Sequence, residues 1–369
     1  MIPVNRPVIT AGDMAAVAAI LRDGWISGDG PIVRQFEEEL ARTTRTTHAI
    51  AVTTGTTACD LTMEALKIGP GEHVILPAMT IISTASHLAR LGARIQVIDA
   101  DPDTWCMQAD KCAEAITPAT RAVIAVHIYG LPVDMDPILD AAKGTSTWVV
   151  EDAAEAIGLT YKGHPCGSMG DAGIFSFYAN KTVTAGEGGA VVTSNGVVAD
   201  DLRSLRNLCF QAHERFVHEH LGYNARMSSL TAALAESQLH RLDALVRTKR
   251  ALGARYSEGL RGHPWLQLPM SRTDYAENSY WVYGVVLLPD APCDAPKLMT
   301  SLRGVGVDSR RFFYPMNRQP ALLKAGVVST EAMPVAEMRW GRGLYLPSGV
   351  GTTNDEIDRT IEALWGLCR

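Results

Sequence analysis

Short apolar runs alternate with longer amphipathic stretches between about residues 48 and 195. Five of these runs begin roughly 22 to 27 residues apart, which leaves room for one crossover helix between successive runs. They cover residues 48–54, 73–77, 95–99, 122–129 and 148–152. This alternation predicts βαβ units and therefore an α/β fold built on a mostly parallel sheet.

Two further apolar runs follow more closely, at residues 174–177 and 189–193. Only a loop separates them, and a loop is too short for a helical crossover. We therefore expect a tight connection or a strand of opposite direction in this half of the sheet.

Helical periodicity appears beside the first strand and again in the second half of the chain. Ala58, Leu61 and Ala65 form one apolar stripe, on a helix predicted to begin at residues 55–57. A longer pattern over residues 229–252 predicts a helix that links two domains.

The remainder of the chain predicts a smaller α+β unit. It contains a strand pattern at residues 280–288 and helix patterns at 295–303 and 355–367. We expect a large domain over residues 1–238 and a small C-terminal domain over residues 239–369.

Composition narrows the class of protein. The 369 residues are 47% hydrophobic and 20% charged, and the formal net charge is -6. These values indicate a folded globular protein and offer no basic patch for nucleic acid. No window approaches the roughly 18 apolar residues of a membrane span, and the N-terminus lacks a secretory signal pattern. We therefore expect a cytoplasmic protein that binds neither membrane nor nucleic acid.

The seven cysteines are scattered and include no CxxC pair. They predict neither a disulfide framework nor a zinc site, and we expect no bound metal.

The densest chemical signal surrounds Lys181. This lysine follows the apolar run that contains Ser176 and Tyr178, and a glycine-rich segment, residues 186–189, comes after it. Burial at the end of a strand lowers the pKa of a lysine and yields a neutral amine able to form a Schiff base. A lone lysine in such a loop is more often a solvated surface residue, so the interpretation needs partner groups.

Two such partners are present. Asp152 ends a predicted strand at the carboxyl edge, where α/β sheets bind ligands, and a carboxylate there can keep a pyridine nitrogen protonated. A plain helix N-cap is the alternative role for Asp152. The turn at residues 54–57 can hold a phosphate at a helix N-terminus. Together these groups suggest pyridoxal 5′-phosphate (PLP).

The sequence resembles the DegT/DnrJ/EryC1/StrS family of PLP-dependent sugar aminotransferases over nearly the whole chain. The segments that carry the resemblance are Trp25-Ile26-Ser27, TGTTA (54–58), GPGEHVILP (69–77), ITPATRAVIAVHIYG (116–130), DMDPIL (134–139), EDAAEA (151–156), FSFYANK (175–181), GEGGAVVT (186–193) and GYNARMS (222–228).

The resemblance implies a fold-type-I aminotransferase. Such an enzyme has a large domain around a seven-stranded, mostly parallel sheet and a smaller C-terminal α+β domain. Two subunits form a homodimer with composite active sites. Lys181 would bond to PLP and then move a proton between cofactor and sugar, and Asp152 would pair with the pyridinium nitrogen. Glu155 would lie near the phenolic oxygen of PLP. The phosphate would be bound by Gly55, Thr56, Thr57 and Ser176, and by Asn224 of the neighbouring subunit.

Two positions and one short segment depart from the family pattern. Ile81 stands where many members stack an aromatic side chain on the PLP ring, and an aliphatic residue covers the ring by dispersion alone. Asn317 replaces a frequent His, and residues 206–210 replace a common RGQG-like segment.

Substrate contacts are harder to assign than cofactor contacts. The candidates are Trp25, His127, Tyr178, Tyr314 and Asn317. A lone His beside a strand is equally well explained as a satisfied core group. The expected role of Trp281 and Trp340 is packing.

The expected activity is transfer of an amino group from L-glutamate to C4 of a nucleotide-linked 4-keto-6-deoxy sugar. GDP-4-keto-6-deoxymannose is the favoured substrate, with pyridoxamine 5′-phosphate between the half-reactions and 2-oxoglutarate as the second product.

Alternative functions stay open. The enzyme could instead act at C3 or C4 of a dTDP- or UDP-linked keto sugar, or the chain could be a non-catalytic regulatory protein on the same scaffold. The retained Lys181 counts against a family dehydratase. No GxGxxG follows the first strand, which counts against a nicotinamide dehydrogenase.

Overall fold

The computed structural model describes residues 1–211 and 213–367. Their strands are β1 (His48–Val52), β2 (His73–Pro77), β3 (Arg94–Ile98), β4 (Thr120–Val126), β5 (Trp148–Asp152), β6 (Thr160–Tyr161), β7 (His164–Pro165), β8 (Ala172–Ser176), β9 (Gly189–Thr193), β10 (Leu266–Gln267), β11 (Tyr283–Leu287), β12 (Arg310–Arg311) and β13 (Gly343–Leu346).

Helices surround these strands, and two short 3₁₀ turns lie at Ile128–Gly130 and Met316–Arg318. The α-helices are α1 (Ala11–Asp23), α2 (Pro31–Thr44), α3 (Gly55–Ala65), α4 (Ser83–Leu91), α5 (Ala109–Ala115), α6 (Asp136–Ala142), α7 (Gly196–Arg206), α8 (Ser229–Leu239), α9 (Leu242–Gly259), α10 (Ala295–Gly304), α11 (Pro320–Ala325), α12 (Pro334–Arg342) and α13 (Asn354–Leu367).

The larger sheet has seven strands in the order β1-β9-β8-β5-β4-β2-β3. Six of them run in the same direction, whereas β9 is antiparallel to both of its neighbours, β1 and β8. The predicted α/β fold with a mostly parallel sheet is therefore confirmed, and the reversed strand lies where the short spacing indicated it.

Both faces of this sheet are covered, which explains why its strands read as nearly continuous apolar runs. In β1, Ile50 and Val52 face one hydrophobic cluster, while Ala49 and Ala51 face another on the opposite side. Successive side chains of a strand point to opposite faces, so a strand covered on both faces needs apolar residues throughout.

A second sheet belongs to the C-terminal unit, residues 242–367. Its four antiparallel strands have the order β10-β11-β13-β12. Tyr256 of α9 and Tyr283 of β11 lie at the centre of its core. Ile2 also packs in this core, so the first residues of the chain contact the C-terminal unit. The domain division at residue 238 remains a prediction.

The predicted helix over residues 229–252 is two helices, α8 and α9, with a break at residues 240–241. At the break, Arg241 donates to the buried carboxylate of Asp13 at 2.7 Å, and Ser237 donates to the same carboxylate at 2.8 Å. The break has a tertiary partner, whereas the local pattern contains no Gly or Pro to signal it.

Two predicted strands are also shorter than expected. The run at 122–129 leaves the sheet after Val126, and Tyr129 then takes a left-handed conformation with φ of 55°. The run at 280–288 enters the sheet only at Tyr283, because Tyr280 is also left-handed, with φ of 53°. Both departures lie beside the cavity described below.

Across residues 1–211 and 213–367, no helix combines the length and the hydropathy that a bilayer crossing requires.

The turn after β4 requires glycine at position 130. Gly130 has φ of +95°, and a Cβ there would lie 2.5 Å from the backbone nitrogen of Trp281 and 2.6 Å from Oγ of Ser279. The carbonyl of Gly130 accepts a hydrogen bond from the Ser279 nitrogen at 2.8 Å. A side chain at position 130 would therefore push residues 279–281 away from the sheet.

We expect Gly130→Ala to lower the free energy of unfolding by at least about 2 kcal/mol, because it adds overpacking to the left-handed strain. The control is Gly144→Ala, where φ is +76° and no atom lies within 4 Å of the added carbon. That variant bears only the strain, about 1 kcal/mol. Urea unfolding measures both losses, and equal losses would contradict the close contact.

Candidate active site

A cavity of about 460 Å³ opens at the carboxyl edge of the seven-stranded sheet. The ends of β1, β5 and β8 lie at this edge, and residues of the C-terminal unit close the opposite wall. Eight predicted site residues line it together: Gly55, Thr56, Ile81, Asp152, Glu155, Ser176, Tyr178 and Lys181.

Lys181 lies at the floor of this cavity with 12% of its side chain exposed. Its Nζ is 3.7 Å from Oε1 of Glu155 and 3.9 Å from the centre of the Trp281 ring. Burial lowers the pKa of Lys181, and the neighbouring carboxylates of Glu155 and Asp152 act in the opposite direction. A neutral amine is the nucleophilic form of lysine, so burial favours Schiff-base chemistry here.

Asp152 ends β5 and is 5% exposed. One carboxylate oxygen accepts from the backbone nitrogen of Ala154 at 3.2 Å, and the other accepts from Oγ1 of Thr84 at 3.3 Å. Burial raises the pKa of Asp152. These two hydrogen bonds leave other lone pairs of the carboxylate unused, so Asp152 can accept a further hydrogen bond. A positively charged donor would also offset the cost of burying the carboxylate.

Glu155 lies three residues beyond Asp152, and its Oε2 accepts from the backbone nitrogen of Tyr129 at 2.7 Å. Tyr129 itself has the left-handed φ of 55°, a sparsely populated conformation that is common at functional sites. Burial raises the pKa of Glu155 to about 7, despite the opposing effect of Lys181.

The opposite end of the cavity has the features of an anion-binding site. Helix α3 begins there, with Thr54 as its N-cap accepting from the Thr57 nitrogen at 3.0 Å. Gly55 packs so closely on Ser176 that an added Cβ would lie 2.7 Å from the serine Cβ. The N-terminus of α3, with its backbone N–H groups and the positive end of the helix dipole, therefore lies next to the Ser176 hydroxyl. Phosphate sites in proteins commonly combine these groups.

Thr57 differs from its neighbours in this turn. Its hydroxyl bonds to the hydroxyls of Thr53 and Thr54, at 3.0 and 2.9 Å, and it does not line the cavity. Thr57 therefore supports the turn, and its proposed phosphate contact remains a prediction.

The structure does not bring His127 to the cavity. The side chain is fully buried, with Nε2 3.0 Å from Glu151 Oε2 and Nδ1 accepting from the Val133 nitrogen at 3.2 Å. Both ring nitrogens are engaged, so the core role that we considered for His127 replaces the substrate contact.

Two further substrate candidates also lie outside the cavity lining. Tyr314 packs edge-on against Trp340, with ring centres 4.9 Å apart. Asn317 is fully buried, and its Nδ2 donates to the Glu331 carbonyl at 2.8 Å and to Glu337 Oε1 at 2.9 Å. The Asn317 contacts anchor the 3₁₀ turn at Met316–Arg318, and its full burial corrects the expectation that Asn317 faces the sugar. A contact between Tyr314 and the sugar remains a prediction.

Trp25 and Asn224 lie on the surface of the chain, outside the lining of the cavity. The Trp25 indole is 49% exposed and donates to Oγ of Ser27 at 3.1 Å. The backbone of Asn224 pairs with that of Asn207. The roles expected for Trp25 and Asn224 remain predictions.

The structure adds cavity residues that the sequence patterns did not single out for the site. They include Thr80, Asn180, Trp281, Arg310, Phe313 and Tyr345. The packing role expected for Trp281 is incomplete, because its ring faces the Lys181 amine. The aromatic character of residues 280–283 was the only signal in the sequence for a site residue here. No local pattern connects this segment to Lys181.

This set of groups fits PLP. A buried amine can bond to the aldehyde, a buried carboxylate can hold the pyridinium nitrogen, and a helix N-terminus can bind the phosphate. Lys181, Asp152, and Gly55 with Thr56 and Ser176 occupy these three positions. Among residues 1–211 and 213–367, no group of three or more His, Cys, Asp or Glu side chains could hold a metal ion.

Comparison with known proteins agrees with this chemistry. The model of the DegT/DnrJ/EryC1/StrS aminotransferase family matches residues 7–365. The chain is 35% identical over 365 residues to GDP-perosamine synthase of Caulobacter vibrioides, covering 98% of this chain and 97% of the relative.

Solved structures of sugar aminotransferases are also similar to this chain. DesV from S. venezuelae is 32% identical with a TM-score of 0.89, covering 97% of this chain and 95% of that one. A Streptococcus pneumoniae protein described as a sugar aminotransferase, in its PMP form, is 27% identical with a TM-score of 0.92, covering 100% and 97%. The protein therefore belongs to the DegT/DnrJ/EryC1/StrS family of PLP-dependent aminotransferases.

Proposed function

We propose that this enzyme transfers an amino group from L-glutamate to C4 of GDP-4-keto-6-deoxymannose, which forms GDP-perosamine and 2-oxoglutarate. The observation that carries the proposal is the position of Lys181, whose buried amine faces Glu155 in a cavity that Asp152 also lines. The similarity to GDP-perosamine synthase along almost the whole of both chains supports the choice of sugar.

When bound, PLP would supply the electron sink for a substrate carbanion and would carry the amino group between the two half-reactions. The residues of the chain supply the rest. Lys181 takes a proton from the substrate carbon and returns it to the cofactor side, since burial keeps its amine available as a base. Asp152 keeps the pyridine nitrogen protonated, and Gly55, Thr56 and Ser176 orient the phosphate.

Side chains around Lys181 keep bulk water from the reacting atoms. Trp281 is 5% exposed and covers one side of the amine, while Ile81 lies at the rim with 47% exposure. Ile81 can cover one face of the cofactor ring by dispersion, which replaces the aromatic stacking common in the family.

We also propose a homodimer in which the partner subunit's Asn224 reaches the phosphate end of the cavity. Close to Asn224 in the sequence, Phe216 is 82% exposed and Leu221 is 92% exposed, among exposed charged side chains such as Glu214 and Glu219. The Tyr223 hydroxyl donates to Glu64 at 2.9 Å, which ties this segment to α3. Aromatic side chains are enriched in protein interfaces, so the exposed Phe216 supports an interface at this segment.

The proposed location is the cytoplasm. The six cysteines within residues 1–211 and 213–367 are all free, and five of them are buried. Reduced cysteines are typical of that compartment.

The substrate is tested by incubating the enzyme, PLP and glutamate with GDP- and dTDP-linked 4-keto-6-deoxy sugars. We expect amination of the GDP sugar at C4, identified by mass and NMR. Lys181→Ala should lower the rate at least about 10³-fold, because it removes the proton-transfer group. Lys162→Ala, at a half-exposed lysine paired with Asp136, is the control and should retain the wild-type rate. Turnover confined to dTDP sugars would contradict the proposed substrate.

Glu155 gives the site a pH dependence that can be measured without substrate. Burial raises its pKa from 4.5 to about 7, so between these values the folded protein keeps a proton that the unfolded chain has lost. The contribution of Glu155 to the free energy of unfolding therefore falls as the pH rises through this window, by roughly 3 kcal/mol at most.

We expect the wild-type protein without cofactor to lose stability between pH 5 and pH 7.5 relative to Glu155→Gln, as measured by urea unfolding. Glu38→Gln, at an exposed glutamate on α2, should follow the wild type. If wild type and Glu155→Gln keep a constant difference across this range, Glu155 does not hold the additional proton.

A further inference from the structure

A lysine without a carboxylate partner lies in the core of the C-terminal unit. Lys249 of α9 is 2% exposed. Its Nζ donates to the carbonyl of Trp281 at 3.0 Å and to the carbonyl of Ser348. Within residues 1–211 and 213–367, no acidic side chain forms an ion pair with it.

Burial of a lysine amine is costly, and burial lowers the pKa of Lys249 to about 7. A neutral amine has two N–H donors, and two carbonyls accept from it, so its donors are matched. Leu or Met at this position would fill the space without desolvating an amine. The hydrogen bonds to two particular carbonyls therefore need an explanation beyond core packing.

The segment that Lys249 holds is the one that carries Trp281 to the cavity. Tyr280, one residue earlier, has the left-handed φ of 53°, which is a sparsely populated conformation for a tyrosine. Its ring packs directly on Gly253, where an added Cβ would lie 2.1 Å from a ring atom. Gly253 and Lys249 are four residues apart, so one face of α9 contacts both residues of this turn.

Trp281 in turn contacts Lys181 and the residue before it. Its ring centre lies 3.9 Å from Lys181 Nζ, and its Nε1 donates to the carbonyl of Asn180 at 3.0 Å. The face of an indole attracts a cation, so this ring stabilises the protonated form of the Lys181 nitrogen.

We propose that Lys249 is a positioning residue for the reaction, holding the Trp281 carbonyl so that the indole stays against the nitrogen of Lys181. The inference rests on the proposed function only in taking Lys181 as the reacting amine. In this proposal α9, a helix of the C-terminal unit, holds the Trp281 ring against the nitrogen of Lys181.

Other ionisable groups near Lys181 remain unchanged in the variants below. Those that line the cavity are Cys59, Asp152, Glu155, Tyr178, Glu187, Arg310 and Tyr345. Trp281→Leu and Gly253→Ala remove no ionisable group, whereas Lys249→Met also removes the Lys249 amine. A shift that all three variants share therefore reports the Trp281 ring and its support.

The test is a pH titration of the visible absorption band of the PLP-loaded protein, with no substrate present. We expect Trp281→Leu to lower the midpoint by about 0.5 to 1 pH unit, because the protonated nitrogen loses its contact with the ring. Lys249→Met should lower it in the same direction, and the double variant should not exceed Trp281→Leu alone. Thr248→Ala, an exposed position on the same helix, is the control and should titrate as wild type.

Gly253→Ala is the second route to the same turn, for use if Lys249→Met does not fold. Its added carbon displaces the Tyr280 ring and should lower the midpoint as well. If Trp281→Leu shifts the midpoint while folded Lys249→Met or Gly253→Ala keeps the wild-type value, the positioning role is contradicted.

Amination of a different sugar would contradict the proposed substrate and leave this titration unaffected. A wild-type protein with no visible band would contradict both proposals.

Discussion

The burial of one amine beside two carboxyls is the constraint on which the rest of the structure depends. Lys181, Asp152 and Glu155 are all removed from bulk water, and an ionised group in such a place needs nearby charge or hydrogen bonds. The parallel sheet brings the two carboxyls to one edge, since Asp152 ends β5 and Glu155 follows it. Lys181 reaches the same edge from the loop after the neighbouring strand, β8. The left-handed Tyr129 and the tight approach of Gly55 to Ser176 both serve this arrangement.

Residues at the ends of strands were predictable from the sequence because strand direction fixes where they meet. The apolar runs located β5 and β8, and parallel strands end at a common edge, so Asp152, Ser176 and Lys181 followed. The residues predicted as substrate contacts had weaker grounds. His127 follows the end of β4 and Asn317 lies in the 3₁₀ turn at Met316–Arg318, but hydrogen bonds to distant residues hold both side chains in the core. Local sequence patterns carry no information on those bonds.

The features missed from the sequence depend on contacts between distant parts of the chain. Trp281 reaches Lys181 from a turn about 100 residues away, and local periodicity carries no information on such a contact. The break between α8 and α9 likewise coincides with the pairing of Arg241 and Asp13. Helix α1 did carry a local signal, since Thr10 and Asp13 form a capping box, but its exposed apolar residues obscure the amphipathic pattern.

The proposed bond between the cofactor and the buried amine of Lys181 can be tested directly. Reduction of the PLP-loaded protein with borohydride, followed by digestion and peptide mass mapping, identifies the modified lysine directly. We expect the label on the peptide that contains Lys181. Label on Lys249, the other deeply buried amine, or on a surface lysine such as Lys162, with Lys181 unmodified, would contradict it.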